Sequence, residues 1–166
     1  LNMMQVDYMN FSYLISAGNC SCILIEDYID YLIDDPGTKV IGLYLEGVKS
    51  PEKFTDVLRR AALKRKPIVI LKVGRSAAGS RVASSHTGSL SGSDKAFDAL
   101  CKKFGIVRVD DIEELVQMCH MLSVLPELPK IPTISAMCLS GGETGVCADV
   151  GAAEGLEYPA FSDETM

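Results

Sequence analysis

His86 stands among Ser84, Ser85, Thr87 and Gly88, inside a stretch, residues 72–94, that reads KVGRSAAGSRVASSHTGSLSGSD. Neutral imidazole is a nucleophile near neutral pH, and the phosphoramidate it forms stays reactive enough to pass the group onward. Small neighbours let backbone and ring approach a ligand closely, and their hydroxyls and N–H groups suit anionic oxygens. The chemistry suggested is capture of a phosphoryl group. The plainer reading is a polar surface loop with an incidental histidine, yet Arg75, Arg81, Val82 and Leu90 interrupt the Gly/Ser series in a way a tether does not require. Glu46, followed by Gly47, closes an apolar run and places a carboxylate at a strand end, or is simply a solvated terminus. Ser140, Gly141, Gly142, Glu143 and Thr144 follow another apolar run and open a helical one. Such a turn presents N–H groups to an anion, or merely makes a tight corner.

These residues need elements that deliver them to one edge. Residues 68–73 have the aliphatic, β-branched composition of a buried strand, and residues 39–45 read as a strand covered on both faces. Residues 11–16 and 106–109 also read as strands. Between them lie helical patterns. Residues 23–33 carry Ile25, Tyr28, Ile29 and Leu32 on one stripe, stopped by Pro36 and Gly37. Ser50 and Pro51 open the next, with Phe54, Val57, Leu58, Ala61 and Ala62 inward and the cations of residues 59–66 as dipole partners. Residues 96–104, with Phe97, Leu100, Cys101 and Phe104, end at Gly105. Asp110 with Glu113 resembles a capping box for a helix whose apolar face is Ile112, Leu115, Val116, Cys119 and Leu122, with His120 on a solvated flank. Strands alternating with helices imply a parallel sheet in a three-layer α/β/α sandwich of flavodoxin-like type, whose ligands bind beyond the strands' carboxyl ends. Glu46, the His86 segment and Ser140 to Gly142 all follow strands there, so one shared site is expected.

Prolines at 126, 129 and 132 read as a linker, residues 126–132, between a first domain, 1–125, and a second, 133–166. Residues 134–139 then start a new strand, loop and helix, the opening of a second flavodoxin-like domain that is cut short. Residues 1–8 have helical composition but no preceding cap, which reads as a first domain truncated at its N-terminus.

With 48% hydrophobic residues over 166, the chain can bury a core. The net charge of −6 excludes a general binder of nucleic acid or anionic membrane, which needs a basic surface. Apolar runs are too short to span a bilayer and the start lacks a leader pattern, so the reading is a soluble, cytoplasmic protein. Cys20, Cys22, Cys101, Cys119, Cys138 and Cys147 never form paired CxxC spacing; they read as reduced core thiols, and no metal site is expected.

The string GRSAAGSRVASSHTGSLSGSD, continued by AFDALCKKFGIVRVDDIEELV, resembles the phosphohistidine segment of the NDP-forming acyl-CoA synthetases, a family that includes ADP-forming acetate-CoA ligases and is related to succinyl-CoA synthetase. YLISAGN, DDPGTKVIGLYLEGV, KPIVILKVGRS and SGGETGVCAD extend the likeness from about Phe11 to the C-terminus. The resemblance implies a succinyl-CoA synthetase-like fold and a relay in which phosphate cleaves an acyl-CoA, the acyl phosphate phosphorylates His86, and the phosphohistidine passes the group to ADP or GDP. Glu46 matches the carboxylate that orients the histidine. Ser140, Gly141, Gly142 and Thr144 match one phosphate-facing helix start, and Gly88 joins them beside His86. CoA is then a substrate, while nucleotide and Mg²⁺ belong to nucleotide-grasp domains. These and the CoA-binding domain lie in the same protein or a partner subunit, within a homo- or hetero-oligomer. Cys20, Ser21 and Cys22 stand where many relatives carry Glu-Ala-Asp, a departure on the substrate side. Competing readings are a non-catalytic ligand-sensing module, such as one fused to a protein acetyltransferase, and a plain interaction domain; the presence of both His86 and Glu46 argues against the former.

Overall fold

The computed structural model describes residues 10–20, 22–76, 79, 93–125 and 130–164. Within them the chain divides into two units, residues 1–126 and 127–166.

The first unit is built on three parallel strands, β1 (Ile41–Leu45), β2 (Ile68–Lys72) and β3 (Val107–Val109), in the order β1-β2-β3. Leu43 pairs with Ile70 and Leu71 with Val109, so β2 lies between its neighbours. All five of its residues are buried, as a strand covered on both faces requires. Helices α1 (Ile25–Asp34), α2 (Pro51–Leu63) and α3 (Asp94–Phe104) supply the larger core. Ile29 and Ile33, Phe54, Leu58 and Ala61, and Cys101 pack there with Ile41, Leu43, Leu45, Ile68 and Ile70. Helix α4 (Ile112–Val124) packs Leu115, with Met118, Cys119 and Leu122, against Val69, Leu71 and Val109. The period-two alternation of β2 therefore feeds two cores, which makes the first unit a three-layer α/β/α sandwich.

Several sequence expectations shift for physical reasons. Strand β1 is not covered on both faces: Ile41, Leu43 and Leu45 are buried, but Tyr44 is 55% exposed. Helix α4 reaches that other face near Val40 and Gly42, where a Cβ on Gly42 would stand 2.9 Å from Cys119 Sγ. Residues 11–16 form no strand, and Phe11, Tyr13, Leu14 and Ile15 are exposed. Side chains hold that segment instead. Ser12 Oγ donates to the Gly37 carbonyl at 2.7 Å, and the Tyr13 ring meets Tyr31 edge-on. Ala62 is exposed rather than inward, and so is Ile112, the first residue of α4. The cap of α4 sits one residue later than Asp110 and Glu113. Asp111 accepts the Glu114 N–H at 2.8 Å, and the Glu114 carboxylate accepts the Asp110 N–H at 2.7 Å. This phase lets Leu115 and Val116 turn inward together. His120 is half-buried rather than solvated.

The cations near the end of α2 do more than complement a helix dipole. Arg60 pairs with Asp30 and Asp34 of α1, Lys64 also reaches Asp34, and Lys66 Nζ donates to the Asp35 and Thr38 carbonyls. They fasten α1 to α2.

In the second unit, α5 (Gly141–Ala153) follows residues 134–139, which form no strand among the described residues. A single parallel bridge joins Thr133 and Glu157, while Met137 and Leu139 remain fully exposed. A strand needs a partner paired along its length, and the one bridge is the only pairing this unit offers among the described residues. Tyr158 closes back on α5, its hydroxyl donating to the Cys147 carbonyl at 2.6 Å.

Candidate functional site

The carboxyl ends of β1 and β2 leave the sheet side by side. Leu45 pairs with Lys72, and the Val73 N–H donates to the Leu45 carbonyl at 2.9 Å. Glu46 therefore emerges one strand away from the start of the segment that carries His86. His86, Gly88 and Ser21 themselves lie outside the described residues.

A cavity of about 480 Å³ opens beside Glu46. Its walls are the turn of residues 15–20, the first turn of α1, and residues 44–47 with Lys49. The turn is tightly wound: Gly18 and Cys20 both hold positive φ, at 54° and 47°. A left-handed cysteine is uncommon, and such backbone conformations gather at functional sites. Lys49 braces the turn by donating to the Asn19 and Cys20 carbonyls.

Two carboxylates meet this cavity. Glu46 is half-buried with its Oε2 shut off from solvent, and that oxygen accepts no hydrogen bond from the described residues. Glu26, on the first turn of α1, is completely buried. Its Oε1 accepts the Ser50 N–H at 3.3 Å, so it satisfies the start of α2, where the Ser50 hydroxyl makes no cap. Its Oε2 accepts no hydrogen bond from the described residues. Neither carboxylate forms an ion pair among the described residues, although Lys49 lines the same cavity. Buried charges ordinarily find a partner, so two bare acceptors in one cavity are chemically unusual. Sequence reading missed Glu26, although a signal was available. It lies three residues before Ile29 and seven before Ile33, on the buried stripe.

Lys72 was likewise not singled out. It is 4% exposed at the end of β2, with its ammonium 3.3 Å from the Val73 carbonyl and over the Phe97 ring. Burial is the main cause of its lowered pKa, with Arg108 and Arg75 adding repulsion and Asp94 opposing it.

In the second unit, Ser140 caps α5. Its Oγ accepts the Glu143 N–H at 3.2 Å, while Glu143 accepts the N–H groups of Leu139 and Ser140. Thr144 Oγ1 donates to the Ser140 carbonyl at 3.1 Å. The cap thus engages the side chains of Ser140, Glu143 and Thr144, leaving the backbones of Gly141 and Gly142 as the part of this turn suited to an anion. An added Cβ at Gly142 would meet only Ser140 Oγ, at 3.9 Å.

The cysteines form no disulfide. Cys101 is buried, but Cys22 is exposed, so the six are not uniformly core thiols. Cys20 and Cys22 precede α1 outside any helix or strand, and Cys22 is exposed there. Among the described residues no three His, Cys, Asp or Glu side chains are grouped to hold a metal, and no helix is long and apolar enough to cross a membrane.

Comparison with known proteins agrees with this architecture. The model of the succinyl-CoA ligase like flavodoxin domain matches residues 1–122. The chain is 41% identical over 107 residues to the ADP-forming acetate–CoA ligase I of Archaeoglobus fulgidus, covering 64% of this chain and 16% of that one. It is 41% identical over 108 residues to subunit alpha of the ADP-forming acetate–CoA ligase II of Pyrococcus furiosus, covering 65% and 23%. Among solved structures, the dinucleotide forming acetyl-coenzyme A synthetase 1 of Ca. Korarchaeum cryptofilum, in complex with phosphate and ADP, superimposes with a TM-score of 0.82 at 31% identity, over 98% of this chain and 35% of that chain. The chain therefore spans less than a quarter of the length of these curated relatives. The chain belongs to the family of succinyl-CoA ligase like flavodoxin domains.

Proposed function

We propose that this chain is the phosphohistidine-bearing part of an NDP-forming acyl-CoA synthetase. Such an enzyme interconverts acyl-CoA, phosphate and NDP with free acid, CoA and NTP. Phosphate displaces CoA from the acyl group, His86 takes the phosphoryl group from the acyl phosphate and releases the acid, and NDP then takes it from His86. The observation that carries this reading is Glu46 Oε2, a buried acceptor without a donor at the edge where the His86 segment begins. A carboxylate there would accept the proton on one ring nitrogen, leave the other nitrogen to attack phosphorus, and stabilise the developing imidazolium. Gly88 beside His86, and the Gly141 and Gly142 N–H groups at the start of α5, would receive phosphoryl oxygens, with Ser140 and Thr144 shaping that turn. The names of the relatives support CoA and a nucleotide as substrates. CoA-binding and nucleotide-grasp domains, the latter with Mg²⁺, complete the enzyme in the same protein or in a partner subunit.

The test is single-turnover labelling of the full-length protein carrying this chain, with γ-labelled NTP and Mg²⁺. An acid-labile, alkali-stable label is expected on His86 and is absent from His86→Ala. General acid–base assistance is worth roughly 10² to 10⁴ in rate, so Glu46→Gln is expected to label at least about tenfold more slowly. Wild-type labelling in His86→Ala overturns the relay, and wild-type rates in Glu46→Gln overturn the pairing.

A further inference from the structure

The cavity beside Glu46 has more room than an acetyl group fills. Its volume of about 480 Å³ lies within the range of roughly 300–1,000 Å³ usual for small-molecule sites. It sits at the carboxyl end of β1, where an open parallel sheet receives its ligands. Ile15, Ala17, Leu24, Ile25, Tyr44 and Leu45 give it an apolar wall. Ile15 and Tyr44 are 41% and 55% exposed, so apolar surface stands open for a ligand to cover. Charge selects further. Glu26 and Glu46 are among the lining residues and disfavour a second carboxylate on a ligand held there. Lys49, the cation of the same wall, is already engaged by the Asn19 and Cys20 carbonyls.

We propose that this cavity is the acyl subsite, and that the acid is a monocarboxylate with an uncharged branched-aliphatic or aromatic tail, larger than acetate and without the distal carboxylate of succinate. This assignment rests on the relay reading, which puts the reacting carboxyl group beside Glu46; the tail then lies between the residue 15–20 turn and the first turn of α1. Ala17, on that turn, and Leu24, just before α1, are its specificity-determining residues.

The experiment measures kcat/KM for CoA-thioester formation by the full-length protein carrying this chain, with NTP, Mg²⁺ and, in turn, acetate, isovalerate, phenylacetate and succinate. One methylene in an apolar pocket is worth roughly 10- to 200-fold, so isovalerate or phenylacetate is expected to exceed acetate by at least about tenfold, with succinate the poorest. By the same rule Ala17→Phe, which fills the cavity, is expected to lower the preference for the larger acid over acetate by about tenfold or more, and Leu24→Ala, which strips the wall, by about threefold or more. Acetate or succinate as the best acid, or an unchanged preference in both folded variants, overturns the subsite. His86 labelling separates this result from the relay. Label on His86 with a flat acid series keeps the relay and removes the subsite, whereas thioester formation by His86→Ala with the larger acid still preferred keeps the subsite and removes the relay. If neither label nor thioester forms, saturation-transfer NMR of isovalerate and phenylacetate on the same protein decides: contact with at least one of them, lost in Ala17→Phe, upholds the subsite, and no contact, or contact unchanged in Ala17→Phe, overturns it.

Discussion

Glu26→Gln offers a sharp test because it removes a buried negative charge while keeping the side chain's shape. In the folded protein one oxygen of Glu26 is spent on the Ser50 N–H and the other is buried without a donor. Leaving a buried polar group unpaired costs about 1–3 kcal/mol, more if it is charged. Glutamine has the same shape and retains an acceptor for Ser50, while removing the buried negative charge. The charge penalty disappears. A gain of about 1–3 kcal/mol corresponds to a rise of roughly 2–12 °C in Tm for a chain of this size. Thermal unfolding followed by circular dichroism measures it, with Glu46→Gln as a second variant expected to move the same way. A Tm for Glu26→Gln equal to or below wild type would refute the reasoning, since it would mean that the carboxylate is already satisfied where it stands.

Thiol chemistry gives a further check. Burial pushes Cys101 and Cys119 up to about 11, so a disulfide reagent near neutral pH should label exposed Cys22 rapidly and these two only after unfolding. Because both folded values lie above the ordinary thiol value near 9, the folded state holds protons that the unfolded state has lost. Their stabilising contribution is complete below about pH 9 and should drain away as pH rises toward 11. Lys72→Met removes a buried ammonium and is expected to raise Tm near neutral pH. Since the folded lysine's pKa is lowered, its penalty is full below that value, so the advantage should shrink as pH climbs through the ordinary lysine range; a constant difference would refute the burial argument. Gly42→Ala places a Cβ against Cys119 and should cost about 1–3 kcal/mol, with Cys119→Ala in the same chain recovering most of it; additive effects in a double-mutant cycle would mean that α4 does not press on β1 there.

Local pattern settled much of this molecule from the sequence alone. The stripes of α1, α2 and α3, the five-residue burial of β2 and the helix that opens after Ser140 follow from periodicity, which neighbouring residues carry with them. The likeness of residues 74–116 and of the DDPGTKVIGLYLEGV string to known segments likewise needed no coordinates, and the second pointed to Glu46 at the end of β1. What the sequence could not decide depends on which element comes to lie against which. Residues 11–16 and 134–139 have strand composition, but a strand exists only where a neighbour pairs with it, and no ladder reaches either segment among the described residues. The sequence reading put the cap of α4 at Asp110; packing of Leu115 on Val69 and Leu71 goes with the cap one residue later, at Asp111. Glu26 shows the difference most plainly. On a helix's first turn an acid reads as a solvated dipole partner, and only the convergence of α1, the start of α2 and the end of β1 turns it into a buried carboxylate with one oxygen held and one left open.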